Sequence, residues 1–189
     1  MRPRDNPFAA HRLESLAFRL PGGLTWDGLF ARCAAMNWRG AIVGPHGSGK
    51  TTLLEQLAPR LIERGFKPHL CRIQAASTLA EKTAVFARVR AMQAPDFLLL
   101  DGAEQLTTRE WLSLYSSASP LAGCLITVHR TSRLPTLLET PTSPALLAEL
   151  AAELTGEQIN STEAAARFKR HGGNLRECLR ELYDQRALA

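Results

Sequence analysis

The stretch Gly44-Pro45-His46-Gly47-Ser48-Gly49-Lys50-Thr51 constrains this chain more than any other. It meets the spacing G-x-x-x-x-G-K-[ST] in full, by Gly44, Gly49, Lys50 and Thr51. Its context is right as well. The apolar run "AIV" precedes it as a buried strand, and Leu53, Leu54, Leu57, Leu61 and Ile62 follow on one side of a helix. Small or absent side chains let successive backbone N–H groups point inward at phosphate oxygens. A helix beginning at Lys50 adds its positive N-terminal end. The Lys50 ammonium is expected to reach β- and γ-phosphates, and the Thr51 hydroxyl to ligate Mg²⁺. The expected nucleotide-contacting set is Gly44, Pro45, His46, Gly47, Ser48, Gly49, Lys50, Thr51 and Thr52. His46, third in the loop, is expected to face solvent and to take no catalytic part.

A phosphate loop of this kind needs an acid at the end of a neighbouring strand to hold Mg²⁺. "PDFLLLDGAEQL" supplies Asp101 directly after a four-residue apolar run. The position after Asp101 is Gly102, where a water-polarising Glu is often found. The nearest carboxylate beyond it is Glu104. A sharp turn at Gly102 would swing Glu104 back toward the γ-phosphate. Without one, Glu104 is a solvated loop residue. Binding of nucleotide is therefore the stronger expectation, and hydrolysis the weaker.

The rest of the chain frames these motifs. Residues 5–24 read as an irregular lead-in punctuated by Pro7, Pro21 and Gly22-Gly23. A short helix is expected over Thr25 to Asn37. The helix from Lys50 should kink or break at Pro59 and end at Gly65. "FKPHLCRI" reads as a strand. Thr78-x-x-Glu81 and Thr107-x-x-Glu110 are capping boxes that open helices on either side of "FLLL". "GCLITV" is a fourth strand and "LPTLLET" a short fifth. Strands alternating with helices predict an α/β domain with a parallel sheet and helices on both faces. After Thr142 the pattern turns all-helical. Ser143, Pro144 and Gly156 frame one helix, and Asn160-x-x-Glu163 and Asn174-x-x-Glu177 cap two more. The expected division is a nucleotide-binding domain over 1–142 and a helical lid over 143–189.

Cysteine usage and charge narrow the setting. The four cysteines, Cys33, Cys71, Cys124 and Cys178, show no CxxC and no paired spacing, which points to a reducing, cytoplasmic setting rather than disulfides or zinc. No apolar run approaches the roughly 18 residues of a membrane helix, and the basic start lacks the apolar region of a signal peptide. Net charge is +5, yet basic residues are interleaved with acids, so nucleic acid is a weakly supported partner.

Two further stretches carry chemistry. "ITVHR" ends a strand in Thr127 and His129, and either could stand beside the γ-phosphate; equally, Thr127 is an ordinary β-branched strand residue and His129 a satisfied loop histidine. "GGNLRECL" places Arg176 in the first turn of a helix. The helix dipole disfavours a cation there, and an anionic phosphate would offset this.

Taken together, the chain resembles the AAA+ ATPase family of P-loop NTPases, including its initiator-like and transposition-helper branches. "GPHGSGKT" stands as Walker A and "FLLLDGAEQL" as Walker B, with "ITVHR" in the sensor 1 place and "GGNLRE" in the sensor 2 place on a helical lid. The resemblance covers about residues 38–184. It implies ATP and Mg²⁺ as ligands; with the readings above, Thr51 and Asp101 are the metal candidates and Lys50, Asp101, Glu104 and Thr127 the catalytic candidates, Glu104 as a departure from the family pattern. Thr127 or His129 would be sensor 1 and Arg176 sensor 2. The family's trans-acting arginine finger has no counterpart, because the helix before the fourth strand ends "SLYSSASPLAG". LSGGQ-like and NKxD motifs are absent too. The expected function is an ATP-dependent conformational switch, read by a partner protein and reset by slow or partner-stimulated hydrolysis. The alternative is a small-molecule or nucleotide kinase, with Arg130 and Arg133 clamping phosphates and Asp101 as base toward an acceptor hydroxyl. A DNA-associated adaptor is a third reading, supported only by the basic charge balance and by family analogy.

Overall fold

The computed structural model describes residues 6–130 and 133–188. Five strands form one parallel sheet: β1 (Arg39–Val43), β2 (Lys67–Arg72), β3 (Asp96–Asp101), β4 (Gly123–Val128) and β5 (Thr136–Glu139). Their order is β2-β3-β4-β1-β5. The helices are α1 (Ala10–Ser15), α2 (Trp26–Ala35), α3 (Lys50–Ile62), α4 (Leu79–Arg90), α5 (Thr108–Ser117), α6 (Pro144–Thr155), α7 (Ser161–Arg170) and α8 (Leu175–Leu188). The expected α/β class with a parallel sheet, flanking helices and a following helical part is the observed one.

The described chain falls into two compact units. One comprises Arg19–Gly44 and Lys50–Glu139. The other comprises the described residues up to Phe18, Pro45–Gly49 and the chain from Thr140 onward.

The sheet unit is organised by its most apolar strand. Phe97, Leu98, Leu99 and Leu100 of β3 are fully buried, each such side chain contributing about 1.5–3 kcal/mol relative to exposure. A central strand is covered on both faces, so it reads as a continuous apolar run instead of an alternation. Leu98 and Leu100 join Ile73, Val89, Trp111, Leu114, Ile126 and others in one core. At the start of β3, Phe97 packs edge-on against Phe66 and Trp38, with ring centroids 5.3 and 6.3 Å away. Both capping boxes form reciprocally, Thr78 with Glu81 at the start of α4 and Thr107 with Glu110 at the start of α5.

Two local expectations change. Pro59 lies inside α3, which runs on to Ile62 and ends before Gly65 in the left-handed conformation. The four buried leucines Leu53, Leu54, Leu57 and Leu61 anchor the helix on both sides of the proline, and their burial outweighs its roughly 3 kcal/mol cost. The lead-in is not wholly irregular, since it contains α1. The expected Asn160 cap of α7 forms, its side chain accepting from the Thr162 backbone N–H (2.8 Å).

The helical unit has its own core, in which Phe8 joins Leu147, Ala151, Ala164, Leu175, Cys178, Leu179 and Leu182. Buried Asn6 donates its side-chain amide to the Tyr183 carbonyl (2.8 Å). Pro144 opens α6 behind the Ser143 cap, and Gly156 closes it in the left-handed conformation. Arg167 of α7 is almost fully buried and donates to Glu163 (2.9 Å) and to Gln185 of α8 (2.9 Å). Among the described residues no helix is long and apolar enough to cross a membrane.

Candidate nucleotide-binding site

The start of the phosphate loop is fixed by the sheet. β1 pairs with β4 so that Val43 faces Val128, and the Gly44 N–H donates to the Val128 carbonyl (3.1 Å). The side chain after Val128, His129, is thereby held beside the first residue of the loop. At the other end of the loop Lys50 begins α3 with its side chain buried. Its ammonium donates to the Gly44 carbonyl (2.6 Å) and meets His129 Nδ1 (3.3 Å).

The two expected metal ligands stand together. Thr51 Oγ1 donates to Asp101 Oδ2 (2.8 Å). The other carboxylate oxygen, Oδ1, accepts from Thr127 Oγ1 (2.6 Å). Thr127 Oγ1 in turn accepts from the Gly102 N–H (2.9 Å), a buried bond. Thr127 thus clamps Asp101 and the residue that follows it. A residue not singled out in the sequence completes the group. Arg72, at the end of β2, donates from Nε to Asp101 Oδ2 (3.2 Å) and from a terminal nitrogen to Glu55 (3.3 Å). The register that pairs Arg72 with Asp101 brings it there; its only signal in the sequence is its place at the end of the strand before α4.

Gly102 does turn sharply, with φ +87°. A Cβ here would overlap the Ile73 carbonyl oxygen and stand 3.1 Å from the Ile73 carbonyl carbon. The backbone therefore excludes a Glu directly after Asp101. The turn carries the chain into a 3-10 segment, Ala103–Gln105. There Glu104 Oε1 lies 2.7 Å from His129 Nε2, both side chains about one-quarter exposed at 23% and 25%. A lysine ammonium has only donors to offer. His129 Nδ1 therefore accepts from Lys50, and the ring proton sits on Nε2, donated to Glu104.

The loop tip, Pro45–Gly49, belongs to the helical unit. His46 is exposed and Ser48 buried. Ser48 Oγ is hydrogen-bonded to Thr140 Oγ1 (2.6 Å). Gly47 has φ +72°, and a Cβ there would collide with Asn174 Oδ1 and lie 3.1 Å from the Arg176 backbone nitrogen. The loop tip therefore packs on the first turn of α8. Asn174 caps that turn by accepting from the Glu177 N–H (3.3 Å), and Arg176 is exposed on it. Thr52 follows in α3, half-buried.

A recess of about 340 Å³ lies beside this group in the sheet unit. Ala103, Leu106, Trp111, Ile126 and Val128 give it an apolar floor, with Glu104, His129, Arg130 and Arg133 also lining it.

No family model matches the chain, and no curated protein matches its sequence. Solved structures do match it in fold. The Holliday junction branch migration motor RuvB of Thermotoga maritima aligns at TM-score 0.55 and 18% identity, covering 88% of this chain and 63% of that one. A replication initiator DnaA, bound to AMPPCP and single-stranded DNA, aligns at TM-score 0.60 and 14% identity, covering 90% of this chain and 62% of that one. The chain thus spans less than two-thirds of the length of either. Both neighbours are AAA+ P-loop ATPases. With five parallel strands, a phosphate loop leaving the strand between β4 and β5 and an acid closing β3, this chain has the P-loop α/β fold of the AAA+ ATPases.

Proposed function

We propose that the protein binds Mg-ATP and works as a conformational switch, reset by slow or partner-stimulated hydrolysis. The observation that carries this reading is the contact of Thr51 with Asp101, Thr51 Oγ1 lying 2.8 Å from Asp101 Oδ2, next along the chain to the buried Lys50. Hard oxygen donors of this kind suit Mg²⁺, which usually takes one or two protein ligands and completes its shell with phosphate and water. Thr51 and Asp101 would hold it there. The ion would neutralise charge on the phosphates, while Lys50 and the backbone N–H groups of Gly47, Ser48 and Gly49 bind them.

The switch draws on the contact between the loop tip and α8. Phosphate in the loop would sit close to the turn that carries Arg176, and the guanidinium would be drawn to it. Such a ligand shifts the shape of the protein by its difference in affinity between two states. A partner protein that reads the helical unit would sense that shift. DNA is a secondary candidate, supported by the net charge of +5 and by the fold neighbours.

A second reading, phosphoryl transfer to a small acceptor, draws on the recess beside Glu104 and His129, whose two arginines suit an anionic acceptor. Titration calorimetry with ATP, with and without Mg²⁺, tests the main reading on the wild type and on Lys50→Ala. The variant is expected to lose at least about tenfold in affinity, as the removal of charged hydrogen bonds implies. Absence of wild-type binding, or equal binding by Lys50→Ala, would overturn the reading. ADP formed without inorganic phosphate, on addition of an acceptor, would favour transfer over hydrolysis.

A further inference from the structure

We propose that His129, oriented by Glu104, is the general base for ATP hydrolysis in this protein and replaces the carboxylate that Gly102 excludes. The inference rests on the nucleotide reading above and assigns the proton-accepting atom within it.

Four observations converge on Nδ1 of His129. The residue after Asp101 cannot carry an acid, because a Cβ there meets the Ile73 carbonyl. The nearby acid, Glu104, is already bonded to His129 Nε2 at 2.7 Å. That bond fixes the tautomer and turns the basic Nδ1 away from Glu104. Nδ1 faces the Lys50 ammonium at 3.3 Å, and Lys50 is the residue expected at the β- and γ-phosphates. The backbone also fixes the residue at the start of the loop, since His129 follows Val128, whose carbonyl binds the Gly44 N–H at 3.1 Å. A carboxylate bonded to one imidazole nitrogen, with the other aimed at the reacting centre, is the arrangement of a base and its orienting group.

The oxygen of water forms a bond to the γ-phosphorus. The bond from that phosphorus to the β–γ bridging oxygen breaks, and its electron pair leaves with ADP. One water proton moves to His129 Nδ1, and the Nε2 proton stays shared with Glu104, whose charge stabilises the imidazolium. The proton then returns to solvent. In the structure Lys50 covers Nδ1. Phosphates that draw the ammonium toward themselves uncover the base, so the base is available only when nucleotide is bound. Glu104 is a positioning residue in this scheme.

Phosphate release from Mg-ATP under single-turnover conditions tests the assignment, with ATP affinity measured on the same samples. His129→Gln is expected to slow release by at least about 100-fold, the range of general base catalysis. Its ATP affinity should stay within about threefold of wild type, because a group acting only in the transition state leaves ground-state binding alone. In His129→Gly, added imidazole should restore release by about tenfold or more, through the same proton-transfer role; Lys50→Ala should show no such rescue. Glu104→Gln should slow release less than His129→Gln. Wild-type release by His129→Gln with binding intact overturns the proposal. So does a loss in Glu104→Gln that exceeds the loss in His129→Gln, which would make Glu104 the base. A wild type that binds ATP and releases no phosphate also overturns it while leaving the nucleotide reading standing. A wild type that binds no ATP removes that reading first.

Discussion

Installing the missing Glu by Gly102→Glu is expected to cripple the sheet unit instead of creating a faster ATPase. Gly102 has φ +87°, a conformation that costs an L residue about 1–2 kcal/mol. Its Cβ would overlap the Ile73 carbonyl oxygen, and the local backbone has little room to give. The Ile73 N–H donates to the Asp101 carbonyl (2.9 Å), and the Gly102 N–H to Thr127 Oγ1 (2.9 Å). Separating the two segments strains both bonds, each worth about 1 kcal/mol net. The sum is about 3–4 kcal/mol. For a chain of this size 1 kcal/mol shifts Tm by about 2–4 °C, so the melting point should fall by about 6–16 °C. Gly102→Ala should lose nearly as much, because the Cβ and not the carboxylate causes the clash. Tryptophan fluorescence during thermal unfolding is the assay, since Trp26, Trp38 and Trp111 all lie in the sheet unit. A Gly102→Ala protein that melts within about 2 °C of wild type, less than 1 kcal/mol on that scale, would refute the reasoning.

Two other outcomes follow from the geometry. Thr127→Val keeps the shape of the side chain but deletes the bonds to Asp101 and from the Gly102 N–H; stability should fall by about 1–3 kcal/mol in urea denaturation, and the Mg²⁺ concentration needed for ATP binding should rise. Asp96 gives an acid-dependent signature. The His69 side chain (2.8 Å), followed by the Gln93 backbone N–H (3.0 Å), holds its carboxyl below the ordinary 3.8. A depressed folded-state pKa stabilises above the unfolded value and is lost as pH falls through the folded one. Asp96→Asn should therefore be less stable than wild type at neutral pH, with the difference shrinking as pH falls below about 4, as urea midpoints across the acid range would show; a difference that stays constant as the pH is lowered would contradict it.

Much of the fold was legible in the chain because it rests on short-range chemistry. The strand–loop–helix around Lys50 is specified by spacing within one segment. The capping boxes at Thr78 and Thr107 each involve a pair three residues apart, and both formed. The apolar run of β3 needs no partner to be recognised, only the fact that a doubly covered strand has no polar face. Pro59 shows where local rules lose, since four buried leucines hold α3 together across it.

The arrangement of the candidate site was less legible, because it joins residues that neither spacing nor propensity links. The sequence marked Glu104 and His129 as separate possibilities and left each with two readings. Their 2.7 Å contact depends on the left-handed turn at Gly102 and on the β3–β4 pairing, which only the assembled sheet supplies. Arg72 reaches Asp101 through the β2–β3 register, and no pattern along the chain encodes a register between strands that a helix separates. Gly47 reads as one of several loop glycines until Asn174 is seen against it. Periodicity, caps and phosphate-loop spacing act over a few residues and are written into the chain. Which distant side chain orients or blocks another is decided by packing, where a single Cβ at Gly102 or a one-residue slip of β2 would rearrange the site.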